Sequence, residues 1–175
     1  IGAREAMSID HSTRRDALKL LGTIPMTFLV PKSRNPVRPY SHIITLSFDD
    51  GFKKSSIKTA QIYEKYRLST CLNVIATAHK KDFILPNDYH RWPVGDFQLW
   101  NSLKANGHEI MPHGWKHEDL KSCTLDEAKD SITKCLDIFT KELDGFEPKK
   151  SIFNFPYNSS SPKVEEWLKT HVRAF

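Results

Sequence analysis

Asp49 and Asp50 stand side by side before Gly51, and His113 and His117 stand four apart in His113-Gly114-Trp115-Lys116-His117. Carboxylates and imidazoles are the side chains that ligate divalent cations and move protons near neutral pH. Neither pair is decisive alone. Asp-Asp-Gly is also a good turn and helix N-cap, and a chain with eight histidines can bring two of them to this spacing by chance. On a helix His113 and His117 would share one face. Gly114, so soon after Pro112, predicts a loop or first turn instead, where two imidazoles can still converge on one cation.

The elements that must carry these residues read as alternating strands and helices. Ile43 to Phe48 is β-branched and apolar and stops at Asp49-Asp50-Gly51, which predicts a buried strand running into a turn. Ile57, Ala60, Gln61 and Tyr63 follow at helical spacing to about Tyr66, and Thr70 to Thr77 reads as a second strand. A loop over Ala78 to Pro93 leads to a helix holding Phe97, Leu99, Trp100 and Leu103, closed by Asn106-Gly107. His108 to Met111 is a short strand. Thr124 with Glu127 forms a capping box, opening a helix whose stripe is Leu125, Ala128, Ile132, Leu136, Phe139 and Leu143. Ser151 to Phe155 is a further strand candidate, Ser161-Pro162 starts a helix over Lys163 to Thr170, and Val172 to Phe175 begins another strand. Alternation of this kind implies α/β architecture with a parallel sheet or barrel and chemistry at the strands' C-terminal ends.

Three segments carry a resemblance when taken together. Thr45-Leu46-Ser47-Phe48-Asp49-Asp50-Gly51, then Gly107 to His117, then Phe153-Asn154-Phe155-Pro156-Tyr157 occur in the order and rough spacing of the polysaccharide deacetylases, also called the NodB homology domain or carbohydrate esterase family 4. The resemblance runs from about His42 to Phe175. It implies a distorted (β/α) barrel of the polysaccharide deacetylase type, incomplete in this chain, and a hydrolase that removes N- or O-acetyl groups from a polysaccharide.

It also implies roles. Asp50, His113 and His117 would hold a divalent metal, Zn2+ first and Co2+, Ni2+ or Mn2+ as alternatives, with one position open. Asp49 would be the general base. The third motif would form one wall of the groove through Pro156, with the backbone N–H of Tyr157 donating to the oxyanion. Many members have Arg two residues ahead of the proline, where it orients the catalytic aspartate; this chain has Asn154, which can supply a hydrogen bond but no charge. The family's later motifs, an apolar acetate pocket and a histidine acting as general acid, have no match before Phe175, so the acid is expected beyond it. Closing the barrel would take about 50 further residues.

Other residues invite plainer readings. His42, His79, His90 and His108 are expected at the surface or strand ends, and His171 at an exposed helix end. Trp92, Trp100, Trp115 and Tyr89 could stack on sugar rings, Trp115 being the best placed, while the helical spacing of Trp100 and Trp167 suits core.

Bulk properties narrow the remaining classes. The net charge is +5, but residues 1 to 40 hold seven basic against three acidic side chains and so supply +4 of it. Lysines and acidic residues are interleaved over 41 to 175, which excludes a basic face for nucleic acid. Cys71, Cys123 and Cys135 are too few for a disulfide framework; they read as small hydrophobes, with a Cys123–Cys135 pair open if the protein is exported.

Arg14-Arg15 ahead of the weakly apolar Leu20 to Val30 resembles a twin-arginine export signal, although Ala17 stands where Phe is usual and no A-x-A site precedes Pro31. Eleven residues cannot span a bilayer, which takes about 20. The chain begins at Ile1, with Met7 ahead of the basic pair. Residues 1–40 are therefore read as an export signal and Pro-rich linker, and 41–175 as the front part of the catalytic domain. That places the protein in the periplasm, at the cell surface or outside the cell, touching the membrane only in transit and partnered by an acetylated polysaccharide or oligosaccharide. Rival readings are a noncatalytic carbohydrate-binding relative, suggested by Asn154 and the missing acid, and a metal-dependent amidase on small C–N substrates.

Overall fold

The computed structural model describes residues 45–85 and 91–175, so the export-signal reading, His42, Tyr89 and His90 lie outside the described residues. Among the described residues three parallel strands make a sheet, in the order β1 (Ser47–Phe48), β2 (Cys71–Val74), β3 (Glu109–Pro112). Ser47 pairs with Cys71 and Phe48 with Leu72, while Cys71 to Val74 pair with Glu109 to Pro112. Each crossover is helical: α1 (Lys53–Lys65) joins β1 to β2 and α2 (Phe97–Ala105) precedes β3. Parallel neighbours require such crossovers, and helices on the sheet faces explain why all four residues of β2 are buried.

The helix signals convert into structure one by one. Asp96 caps α2 by accepting from the Leu99 N–H at 2.9 Å. Thr124 and Glu127 form the reciprocal box at the head of α3 (Leu125–Glu142), a device worth about 1 kcal/mol. Ala128, Ile132, Cys135, Leu136 and Phe139 on its inner face are buried and join Trp100, Phe153 and Val164 in one core; each large side chain contributes about 1.5–3 kcal/mol. α4 (Pro162–Leu168) starts at proline, but Ser161 sits at its N-cap without a side-chain hydrogen bond.

Two expected strands are not formed. Ser151 to Phe155 is not a strand. Its residues alternate as a strand's would, with Phe153 and Phe155 buried, yet they pair only through the Ile152–Ala174 bridge. The Asn154 N–H turns the other way, to the Pro112 carbonyl at 3.0 Å. The start of a strand at Val172 reduces to the same single bridge. His108 stands at a strand end, directly before β3, and is buried there: its Nδ1 accepts from the Thr70 N–H and its Nε2 faces Glu64 Oε1, both at 3.2 Å. All three cysteines are free thiols. Among the described residues no helix is long and apolar enough to cross a membrane.

Candidate metal and acyl-transfer site

The aspartates and the histidines sit on turns that leave the C-terminal ends of β1 and β3. Asp49, Asp50 and Gly51 follow β1, with Asp50 at φ 69° and Gly51 at φ 73°. A Cβ on Gly51 would lie 3.0 Å from the Trp100 ring, so glycine there answers both the backbone and the packing. Gly95 lies under the same ring and donates its N–H to the Gly51 carbonyl at 2.9 Å. The Lys53 N–H reaches the Pro93 carbonyl, also at 2.9 Å. Residues 93–95 therefore pin the aspartate turn from outside the sheet.

The histidine loop continues the β2–β3 pairing beyond the strands. The His113 N–H donates to the Val74 carbonyl, and the Ala76 N–H to the Gly114 carbonyl, both at 3.0 Å. The Thr77 hydroxyl closes the ladder on the Trp115 carbonyl at 2.6 Å. Glu118 ties the far end down, accepting from the Lys116 N–H at 2.9 Å and the Ser131 hydroxyl at 3.2 Å. The two imidazoles thus belong to a rigid loop rather than to a helix.

Asp50, His113 and His117 converge. One candidate ligand atom from each lies within 4.8 Å of the others, with Asp50 Oδ1 3.6 Å from His113 Nε2 and 3.1 Å from His117 Nε2. His113 Nδ1 is 3.0 Å from the Asn154 carbonyl. A carbonyl can only accept, so Nδ1 carries the proton and the Nε2 lone pair faces Asp50. Asp50 Oδ1 is buried without a hydrogen-bond partner, close to two ring nitrogens but not aligned with either. An orphaned carboxylate oxygen facing imidazole nitrogens is a donor set that fits a divalent cation such as zinc.

Electrostatics agree. Burial pushes the Asp50 carboxyl up, but the close approach of His117 and the charge of His113 outweigh it and leave the group below its usual range. Burial pushes His113 below its ordinary imidazole value against the opposing pull of the Asn154 carbonyl and the aspartates. A carboxylate kept ionised and an imidazole kept neutral are the protonation states a cation needs.

Asp49 points elsewhere. Its Oδ1 accepts from Asn73 Nδ2 at 2.7 Å. Asn73, on β2 and fully buried, was hidden in the sequence by its apolar neighbours. Tyr157 lies across the site, its ring 4.5 Å from that of His117 and more than half exposed. No backbone carbonyl of the described residues accepts from the Tyr157 N–H. Pro156 is buried against Gly114, where a Cβ would lie 2.9 Å from Pro156 Cγ.

Two candidates serve differently from expectation. Asn154 acts through its main chain, its carbonyl on His113 and its N–H on Pro112. Trp115 packs against the core, with Lys116 Nζ 4.3 Å and Lys134 Nζ 4.6 Å from its ring centre. A sugar stacking on Trp115 would have to displace an ammonium group, whereas Tyr157 offers an open face. His171 bonds the Trp167 carbonyl at 2.9 Å and lies 4.0 Å from its ring, closing the end of α4.

No curated protein sequence matches this chain. Solved structures do. A deacetylase, PplD, from Streptococcus pyogenes in complex with acetate superposes with a TM-score of 0.61 at 16% identity, over 75% of this chain and 54% of that one. The peptidoglycan deacetylase PdaC from Bacillus subtilis gives 0.55 at 22% identity, over 78% and 59%. A Bacillus anthracis pseudoenzyme of carbohydrate esterase family 4 gives 0.55 at 13% identity, over 73% and 40%. At these identities the likeness is one of fold, the distorted (β/α) barrel, and the chain spans about half the length of the structures it matches. The sequence model for polysaccharide deacetylase matches residues 37–172, and with that match over most of its length the chain belongs to the polysaccharide deacetylase family.

Proposed function

We propose that this chain carries the cation ligands and the base of a metal-dependent deacetylase, which hydrolyses N- or O-acetyl groups on an extracytoplasmic polysaccharide. The observation that carries the reading is the convergence of Asp50, His113 and His117 beside a separately held Asp49. A divalent cation in that triad supplies Lewis acidity, acidifying water and polarising the acetyl carbonyl. Asp49 accepts the proton of the attacking water. The Tyr157 N–H donates to the oxygen on which charge develops, a contribution of about 3 kcal/mol for a well-aimed donor. Pro156 and the exposed Tyr157 ring form the wall against which the acetylated sugar lies.

Relatives that are peptidoglycan deacetylases favour a cell-wall glycan as substrate, and residues 1–40 are proposed as the export signal and linker preceding a domain that begins near residue 41. Acetate release settles the reading. The intact protein loaded with Zn2+ is expected to release acetate from acetylated chitooligosaccharides, peptidoglycan or acetylated xylan, and Asp49→Asn to release none. Absence of release from all three, with the metal bound, rejects it. The pseudoenzyme relative keeps a second reading in play, a noncatalytic glycan binder, for which Asp49→Asn would leave the only measurable function intact.

A further inference from the structure

Ser47 of β1 faces Cys71 of β2, and Asn73 faces Met111 of β3. Residues two apart on a strand share a face, so the step from Ser47 to Asp49 runs beside the step from Cys71 to Asn73. This register brings a primary amide level with Asp49. Asn73 is completely buried, and a buried amide is costly unless its hydrogen bonds are made.

Both ends of the amide are engaged. Nδ2 donates to Asp49 Oδ1 at 2.7 Å, and the Cys71 thiol, which also faces Met111 Sδ at 3.3 Å, approaches Asn73 Oδ1 at 3.7 Å. Burial, together with the charges of Glu109 and Asp49, pushes the Cys71 thiol up to about 11, so it remains a donor at neutral pH. The opposite amide sense would set Oδ1 against a carboxylate oxygen. With Oδ1 of Asp49 held, its second oxygen is left to take a proton from a defined direction. Asn154 meanwhile has its main-chain groups committed to His113 and Pro112.

We propose that Asn73 is the positioning residue for Asp49, orienting the base from β2 by a neutral hydrogen bond in place of a charged group from the third motif. The proposal rests on the reading of Asp49 as the base. Asn73→Leu keeps the volume and removes the donor. In the intact Zn2+-loaded protein it is expected to lower kcat on an acetylated oligosaccharide about 10- to 100-fold, with KM and zinc content unchanged. Crystal structures of the parent and the variant test the contact without reference to turnover: the Asp49 carboxylate should turn away or spread over several rotamers in Asn73→Leu. Asn73→Ser, too short to reach Asp49, serves if the leucine variant does not fold. An unmoved Asp49 in either variant, or undiminished kcat in a folded, zinc-loaded one, overturns the proposal. Should the parent release no acetate while Asp49 still turns in the variant, the deacetylase reading fails and the positioning contact stands.

Discussion

Gly114 and Pro156 meet through the space that a Cβ on residue 114 would fill, 2.9 Å from Pro156 Cγ. The contact joins the histidine loop to the segment bearing Tyr157. Gly114 also has φ 82°, so a side chain there is opposed twice. Gly114→Ala is expected to destabilise the fold by about 1–3 kcal/mol, read by urea unfolding, and to weaken zinc binding because His113 precedes the distorted turn. Unchanged stability and affinity would show that the wall and the loop are not coupled.

Removing one ligand tests the triad directly. Asp50→Asn retains a residue that tolerates φ 69° and keeps the shape while losing the charge. Zinc content is expected to fall from about one ion per chain to a small fraction of that, and acetate release with it. Full occupancy in the variant would remove Asp50 from the ligand set.

Tyr157 has φ 59°, which glycine adopts freely. Tyr157→Gly keeps the N–H assigned to the oxyanion and deletes the ring over His117. Stability should rise by about 1 kcal/mol, KM for an oligosaccharide should rise, and kcat should stay within about tenfold, since losing the donor itself costs about 100-fold or more. A collapse of kcat at constant KM would assign the chemistry to the ring instead.

In the metal-free protein, His113 is held below its ordinary value of 6.5. The unfolded chain therefore binds the proton more readily, and stability falls as pH drops below about 6.5, levelling once the folded group also protonates. Asp50, also depressed, acts in a separate window: its contribution is present above its ordinary 3.8 and is lost at lower pH. Urea unfolding with chelator between pH 7.5 and 5 should show a positive slope that flattens in His113→Gln. An equal slope in both proteins would mean that other groups control it.

Local signals were legible because their partners are close in sequence. Thr124 and Glu127 cap α3 as their spacing predicts, Asn106-Gly107 ends α2, and the aspartates fall on a turn after a strand. The grouping of Asp50, His113 and His117 was legible for another reason, since the resemblance carried by the motifs named these residues as the ones that would hold a metal. Asn73 was not, because an amide within an apolar run has no local pattern, and its partner lies 24 positions away. The burial of His108 depends likewise on Glu64 and Thr70, 44 and 38 positions distant. The covering of Trp115 depends on Lys134 of α3, 19 positions away, whose ammonium lies over its ring. Ser151 to Phe155 has the alternation of a strand, but regular pairing needs a continuous partner, and Ala174 supplies one bridge only.

Asp50, His117 and Tyr157 account for three of the five non-glycine residues at positive φ among the described residues, and they share one site. Each such residue costs about 1–3 kcal/mol relative to a relaxed backbone. Glycine at Asp50 or His117 would therefore relax the backbone while removing a proposed ligand, whereas at Tyr157 it would spare the N–H. A lineage released from selection for turnover has a downhill route to an inert, well-folded descendant, and keeping the site means selection acting continuously against the fold's own preference.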